Sequence, residues 1–167
     1  MKFNTLTLTN GDFNFTVNLS NFTNNVEFLN FLLKNIKCDL NQLSVFDNIK
    51  EQSPYTGLSV DKIFEKYEIL SKYDTNFLKA YERNFNNLAN LNIDELSELE
   101  NFLFYEKSPK EVAELIISER GYYNGSEIPS ELLKYLNYDK IADEMLESGE
   151  LIEDKNGCLL ALFLNFF

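Results

Sequence analysis

The side chains in this sequence that could do chemistry are carboxylates. From Asp139 to Asp154 there are seven of them, Asp139, Asp143, Glu144, Glu147, Glu150, Glu153 and Asp154, against one lysine, Lys140. Such groups can hold Mg2+ or Ca2+, act as a general acid and base, or present negative charge to a basic partner. The rest of the composition narrows the choice. The chain has no histidine, which excludes histidine triads, histidine-bearing zinc sites and the usual near-neutral proton shuttle. Its 6 glycines form neither G-x-G-x-x-G nor G-x-x-x-x-G-K-[ST], so no phosphate cradle is visible. Neither Cys38 nor Cys158 has a histidine to activate it, and buried apolar packing is expected for both. Ser59, Ser108 and Ser130 stand where helix caps are expected. Asp154-Lys155-Asn156-Gly157 resembles the start of a calcium loop, but Cys158 falls where the third ligand belongs and no glutamate closes the loop. A carboxylate pair set for glycoside hydrolysis stays open as an alternative, because 27 acidic residues make chance pairs inevitable. The expectation is a protein without catalytic residues, metal or cofactor, and not an enzyme.

That leaves the charge itself. The 167 residues carry 15 Lys+Arg against 27 Asp+Glu, a net charge of −12. Residues 1–57 are nearly balanced, with 5 acidic and 4 basic side chains, whereas residues 108–167 carry 12 and 5. Such a field repels nucleic acid and anionic membrane surfaces and attracts basic partners. Direct DNA binding is therefore the wrong expectation. No apolar signal core follows Met1-Lys2, and the longest apolar run, Cys158–Leu164, is far short of a membrane span. A cytoplasmic protein is expected, so the glycosylation patterns at Asn14, Asn18, Asn21 and Asn124 carry no meaning.

The elements that must position these groups read as an α+β fold, elongated, with three small units in series. Residues 1–57 form a β-hairpin about Asn10-Gly11, with Phe13, Phe15, Val17 and Leu19 on one face. A helix Val26–Ile36 follows, with Phe28, Leu29, Leu32, Leu33 and Ile36 inward, and then a short strand Leu43–Phe46. Residues 58–105 read as a short helical bundle. Ser59 caps a helix carrying Ile63, Phe64, Tyr67 and Leu70, and Asp74 caps one carrying Phe77, Leu78, Tyr81, Phe85 and Leu88. Asn92 and Glu95 make the capping-box pattern of a third, with Leu96, Leu99, Phe102 and Leu103 inward. Residues 106–167 mix both types. Ser108-Pro109-Lys110-Glu111 opens a helix that stops at Gly121, and Pro129 opens a short one through Tyr135. Asn137 caps a helix ending near Gly149, and a hairpin through Asn156-Gly157 joins Leu151–Glu153 to Cys158–Phe166.

On the helix from Tyr138 to Ser148, Ile141, Ala142 and Met145 form the inward stripe. Asp139, Asp143 and Glu147 follow at i, i+4 and i+8 along the exposed side, with Glu144 on the adjoining flank. Ordinary solvated faces mix signs, because Glu–Lys pairs at this spacing stabilise a helix. A functional acidic surface is expected, comprising Asp94, Glu95, Glu98, Glu111, Glu114, Glu119, Glu131, Asp139, Asp143, Glu144, Glu147, Glu150, Glu153 and Asp154. Duplex DNA carries one charge per about 1.7 Å of axis. A helix of this length spans about 16 Å, over which DNA presents roughly nine charges. One such helix is too sparse to pass for DNA, so several helices or two symmetric copies would be needed.

The stretch "EVAELIISERGYYNGSEIPSELLKYLNYDKIADEMLESGEL" resembles the corresponding part of the ArdA antirestriction proteins. The likeness is carried by Glu119, Gly121, Gly125, Ile128, Pro129, Leu132, Tyr135, Asn137, Tyr138, Glu144, Ser148 and Gly149. Ile141 and Asp143 depart from it, standing where an aromatic residue and an arginine are common. The resemblance implies a non-catalytic DNA mimic carried by a phage or mobile element. It would be a homodimer whose acidic surface occupies the DNA groove of a type I restriction–modification complex in the host bacterial cell. It also implies a dimer contact near the last hairpin, here Leu151, Leu160, Leu162, Leu164 and Phe166. The alternatives are an inhibitor of another DNA-handling defence system, such as a CRISPR complex, and a protein-interaction adaptor that is no mimic.

Overall fold

The computed structural model describes residues 3–47, 52–123 and 126–162. The fold is α+β, with helices and small antiparallel sheets in both of two compact units. The first unit comprises Met1–Leu78 with Phe85–Leu96, and the second Lys79–Asn84 with Ser97–Phe167. The sequence boundary at residue 57 lies inside the first unit.

In the first unit β1 (Thr5–Thr9) pairs antiparallel with β2 (Asn14–Asn18) on one side and β3 (Ser44–Val45) on the other. The hairpin closes at Thr9 opposite Asn14, so its connection is the four residues Asn10–Phe13 rather than a two-residue Asn-Gly turn. The reason is local. Asn10 Oδ1 accepts from the backbone N–H groups of Asp12 and Phe13 at 3.0 and 3.2 Å, an Asx turn that holds the longer loop. Along the predicted apolar face, burial deepens from Phe13, 38% exposed, to Leu19, fully buried.

α1 (Asn25–Asn35) starts where Asn24 accepts from the Glu27 N–H at 2.9 Å. Phe28, Leu32 and Ile36 are buried as the periodicity requires, but Leu33 is 61% exposed. It lies on the side of the helix turned away from α2 (Val60–Leu70), against which Phe28 stacks on Phe64 with ring centroids 5.8 Å apart. Each fully buried large apolar side chain contributes about 1.5–3 kcal/mol, which makes the Phe28–Phe64 contact a main tie between these helices.

Lys66, on the same helix, is fully buried, and its ammonium donates to the carbonyls of Leu88 and Leu91, both at 2.6 Å. It sits between Ile63 and Leu70 at i−3 and i+4, on the apolar flank. That position is the sequence signal that marks it. α3 (Thr75–Asn84) ends before Phe85, which is 44% exposed rather than inward, while Leu88 is buried from the following loop.

The 3-10 segment Asp94–Asn101 begins in the last residues of the first unit and ends in the second. The Asn92–Glu95 capping pair forms reciprocally, at 2.8 and 3.0 Å. The expected helix nevertheless stops early: Phe102–Tyr105 is strand β4, paired with β8 (Gly157–Ala161), and Leu103 is 44% exposed instead of inward. Pairing with a strand far along the chain outweighs the local helical spacing. β7 (Leu151–Asp154) completes the sheet in the order β4-β8-β7.

α4 (Pro109–Arg120) has the full capping box of Ser108 and Glu111 and ends on Gly121 at φ 69°. α5 (Tyr138–Ser148) is capped by Asn137 and ends on Gly149 at φ 77°. Both pack on the sheet through Val112, Ala113, Ile116, Ile117, Ile141, Ala142, Met145, Leu151, Cys158 and Leu160. Lys110 at the start of α4 bonds Asp139 at the start of α5, and Arg120 at the end of α4 bonds Glu150 just past the end of α5. The two helices therefore run side by side in the same direction. Parallel neighbours need a return path, and residues 121–137 supply it. That return includes a hairpin the periodicity missed, β5 (Tyr122–Tyr123) with β6 (Ser126–Glu127), whose intervening residues lie outside the described ones. The helix expected from Pro129 is a 3-10 turn, Leu133–Tyr135.

Leu159 and Ala161 point to the opposite side of the sheet and are also buried. There Phe102 meets Tyr81 of α3 edge-on at 5.7 Å.

Candidate acidic interaction surface

The acidic residues divide by environment. On α5, Asp143 and Glu147 are exposed and Asp139 lies on the same row. Asp139 accepts from Lys110 at 2.8 Å, a bond that raises the lysine's pKa. Glu144, on the flank, is half-buried, accepts from the Tyr123 hydroxyl and lies 3.7 Å from Lys140. Of the four expected on the exposed side, only Asp143 and Glu147 stand outside these ion pairs. On α4, Glu111 and Glu114 are exposed on the side away from the core, and Glu119 near its C-terminal end. Glu111 is committed to the cap: hydrogen bonds from the Ser108 hydroxyl and N–H hold its carboxyl below the ordinary glutamate value. The same bond commits the Ser108 hydroxyl, which is no free nucleophile.

Two of the expected surface groups are buried instead. Glu150 is 7% exposed and pairs with Arg120 at 3.0 Å. Asp154 accepts a bidentate grip from Arg83, with Nε to Oδ1 at 2.7 Å, and a third bond from Asn84 at 3.3 Å. Those bonds hold its carboxyl below the ordinary value. Asp154 shares its sheet face with Ile152 and Leu159, the face opposite α4 and α5, so it belongs to no ridge with the helical acids. These are corrections to the sequence reading. Burying a charge is tolerable only with a hydrogen-bonded partner, and the chain supplies one in each case.

Glu114, Glu119, Glu131, Asp143, Glu147 and Glu153 remain exposed and take part in none of the ion pairs among the described residues. Glu98 is exposed and receives a long bond from the Tyr81 hydroxyl at 3.4 Å. Asp94 and Glu95 are exposed but belong to the first unit. The second unit holds 16 acidic against 8 basic side chains, the first 11 against 7. The second unit is thus net −8 and the first net −4, and the ion pairs leave fewer of these carboxylates unpaired than the sequence suggests.

The expected dimer contact changes more. Leu151 and Leu160 are 1% and 2% exposed within the core under α4 and α5, so a partner chain does not meet their side chains. Leu162 is 41% exposed, and Leu164 and Phe166 lie outside the described residues. Cys158 is fully buried; burial, with Glu153 and Asp154 nearby, pushes its thiol up to about 11. A cleft of about 350 Å3 runs between the start of α4 and the β7–β8 turn, lined by groups of both signs that include Lys107, Glu111, Glu153 and Lys155.

Arg83, Lys110, Arg120 and Tyr123, which donate to Asp154, Asp139, Glu150 and Glu144, carry no local sequence signal of that role. Among the described residues no three acidic or cysteine side chains converge at cation-binding distance. No described helix is long and apolar enough to cross a membrane. No protein-family model matches the chain, and no curated protein matches it significantly.

Proposed function

We propose that this chain is a non-catalytic, antirestriction-type DNA mimic of the ArdA kind. Its acidic second unit would occupy the DNA-binding groove of a type I restriction–modification complex in a bacterial host. The observation that carries the reading is the pair of parallel helices α4 and α5, whose outward sides offer Glu114, Asp143 and Glu147 free of ion pairs. Carboxylates four residues apart on a helix repeat about every 6 Å, a spacing at which each can meet a separate lysine or arginine. Since α5 offers fewer free charges than its sequence suggested, matching a duplex places more weight on a second copy of the chain. Groove occupation by charge predicts rapid association that falls with ionic strength.

The test is competition against DNA for a purified type I complex, with wild type and a Glu114→Lys, Asp143→Lys, Glu147→Lys variant. Loss of inhibition in the triple variant, with inhibition retained in a Glu68→Lys control from the first unit, supports the reading. Undiminished inhibition by a folded triple variant overturns it.

A further inference from the structure

We infer that Asn10 is a site of spontaneous backbone-assisted deamidation, built by the turn that closes the first hairpin. This inference is independent of the proposed function. Deamidation at an Asn-Gly pair needs the following backbone nitrogen to reach the side-chain carbonyl carbon, and a way to carry the negative charge that develops on its oxygen. Gly11 has no Cβ to shield its nitrogen, is exposed, and sits at φ 93°, a conformation glycine adopts without cost.

Asn10 Oδ1 already receives the backbone N–H groups of Asp12 at 3.0 Å and Phe13 at 3.2 Å. Two backbone donors on a carbonyl oxygen polarise its carbon and stand ready for the oxyanion, the arrangement that accelerates acyl chemistry in enzymes. The Gly11 N–H is directed to Thr9 Oγ1 at 3.1 Å, and that hydroxyl donates onward to the Phe13 carbonyl at 3.0 Å. The nucleophile's proton thus lies against a polar, solvent-facing group.

The atoms balance with water and hydroxide alone. Hydroxide removes the Gly11 N–H proton, and the nitrogen adds to Asn10 Cγ as the carbonyl electron pair moves onto Oδ1. The adduct collapses by expelling Nδ2, which takes a proton from water and leaves as ammonia, regenerating hydroxide. Water then opens the cyclic imide at either carbonyl, giving aspartate or isoaspartate. Nothing is oxidised or reduced, and the chain gains one negative charge. The aspartate product keeps the Oδ acceptor of the turn, whereas the isoaspartate product lengthens the backbone through it.

The second hairpin supplies an internal comparison. Gly157, after Asn156, is paired opposite Asp154, and a Cβ built there would lie 2.1 Å from the Tyr105 carbonyl oxygen. Its backbone is held in the sheet, paired with Asp154 and close against the Tyr105 backbone.

The experiment incubates the full-length protein in mildly alkaline buffer, native and in urea, and follows the Asn10 and Asn156 peptides by mass mapping with isoaspartate detection. In the native protein Asn10 should convert at least about tenfold faster than Asn156, with the ratio collapsing toward one in urea. A native ratio below about threefold overturns the inference. So does a large ratio that survives in urea, because the local sequence and not the fold would then set the rate.

Discussion

Gly157→Ala tests the packing of the second unit most sharply. Gly157 opens β8 at φ 154°, and an added Cβ would sit 2.1 Å from the Tyr105 oxygen and 3.0 Å from Glu106 Cα. Both are backbone atoms at the end of β4, so no rotamer change relieves the clash; either the hairpin lifts or the strand shifts. Backbone strain at such an angle costs about 1–3 kcal/mol, and forcing an extra carbon into a packed site costs about 1–3 kcal/mol more. The midpoint of that sum, about 4 kcal/mol, corresponds to a fall in Tm of roughly 8–16 °C for a chain of this size. Gly121→Ala is the matched control. It too lies at positive φ, 69°, but nothing stands within 4 Å of its Cβ position. It should lose only about 1–2 kcal/mol. Thermal and urea unfolding by circular dichroism, with hydrogen exchange on the β4 and β8 amides, measures both. A Gly157→Ala protein as stable as wild type, or less affected than Gly121→Ala, would refute the close approach of the hairpin to β4.

Two further outcomes follow from buried charges. Lys66→Met keeps the stem but removes the donor to the Leu88 and Leu91 carbonyls. Losing these two charge-assisted hydrogen bonds costs about 1.5–3 kcal/mol each, partly offset by no longer burying an ammonium. A net loss of about 2 kcal/mol should appear as a lower urea midpoint, and a stabilised variant would count against the role assigned to the ammonium. The Arg83 grip lowers the Asp154 pKa relative to the unfolded chain. Its stabilising contribution is therefore fully present above the ordinary aspartate value of 3.8 and is lost as pH falls through the lowered value. Asp154→Asn should remove that share of the acid dependence; unfolding curves of equal steepness with pH in both proteins would contradict it.

What the sequence made legible was whatever is decided locally. The starts of α4 and α5 rest on Ser108, Glu111 and Asn137, a few residues from the groups they satisfy, and the structure places those caps as read. Strand β4 was hidden because its partner, β8, lies at the other end of the unit. The same distance hid the charge balance. Arg83 and Asp154 are 71 residues apart and Lys110 and Asp139 are 29 apart, so counting neighbours overstated the free carboxylates. Lys66 was the exception: its place on the apolar flank of α2 was visible, but the carbonyls that accept its charge were not.

The common direction of α4 and α5 has an electrical consequence. Each helix carries a macrodipole of about half a charge at either end. In an antiparallel pair these cancel; here they add, giving the pair a head and a tail. The Pro109/Tyr138 end is softened by about one positive charge, whereas the Arg120/Ser148 end is deepened by the same amount, the Arg120 charge there being already paired with Glu150. A polycation lying along these helices meets a slope and not a plateau, so it has a preferred way round.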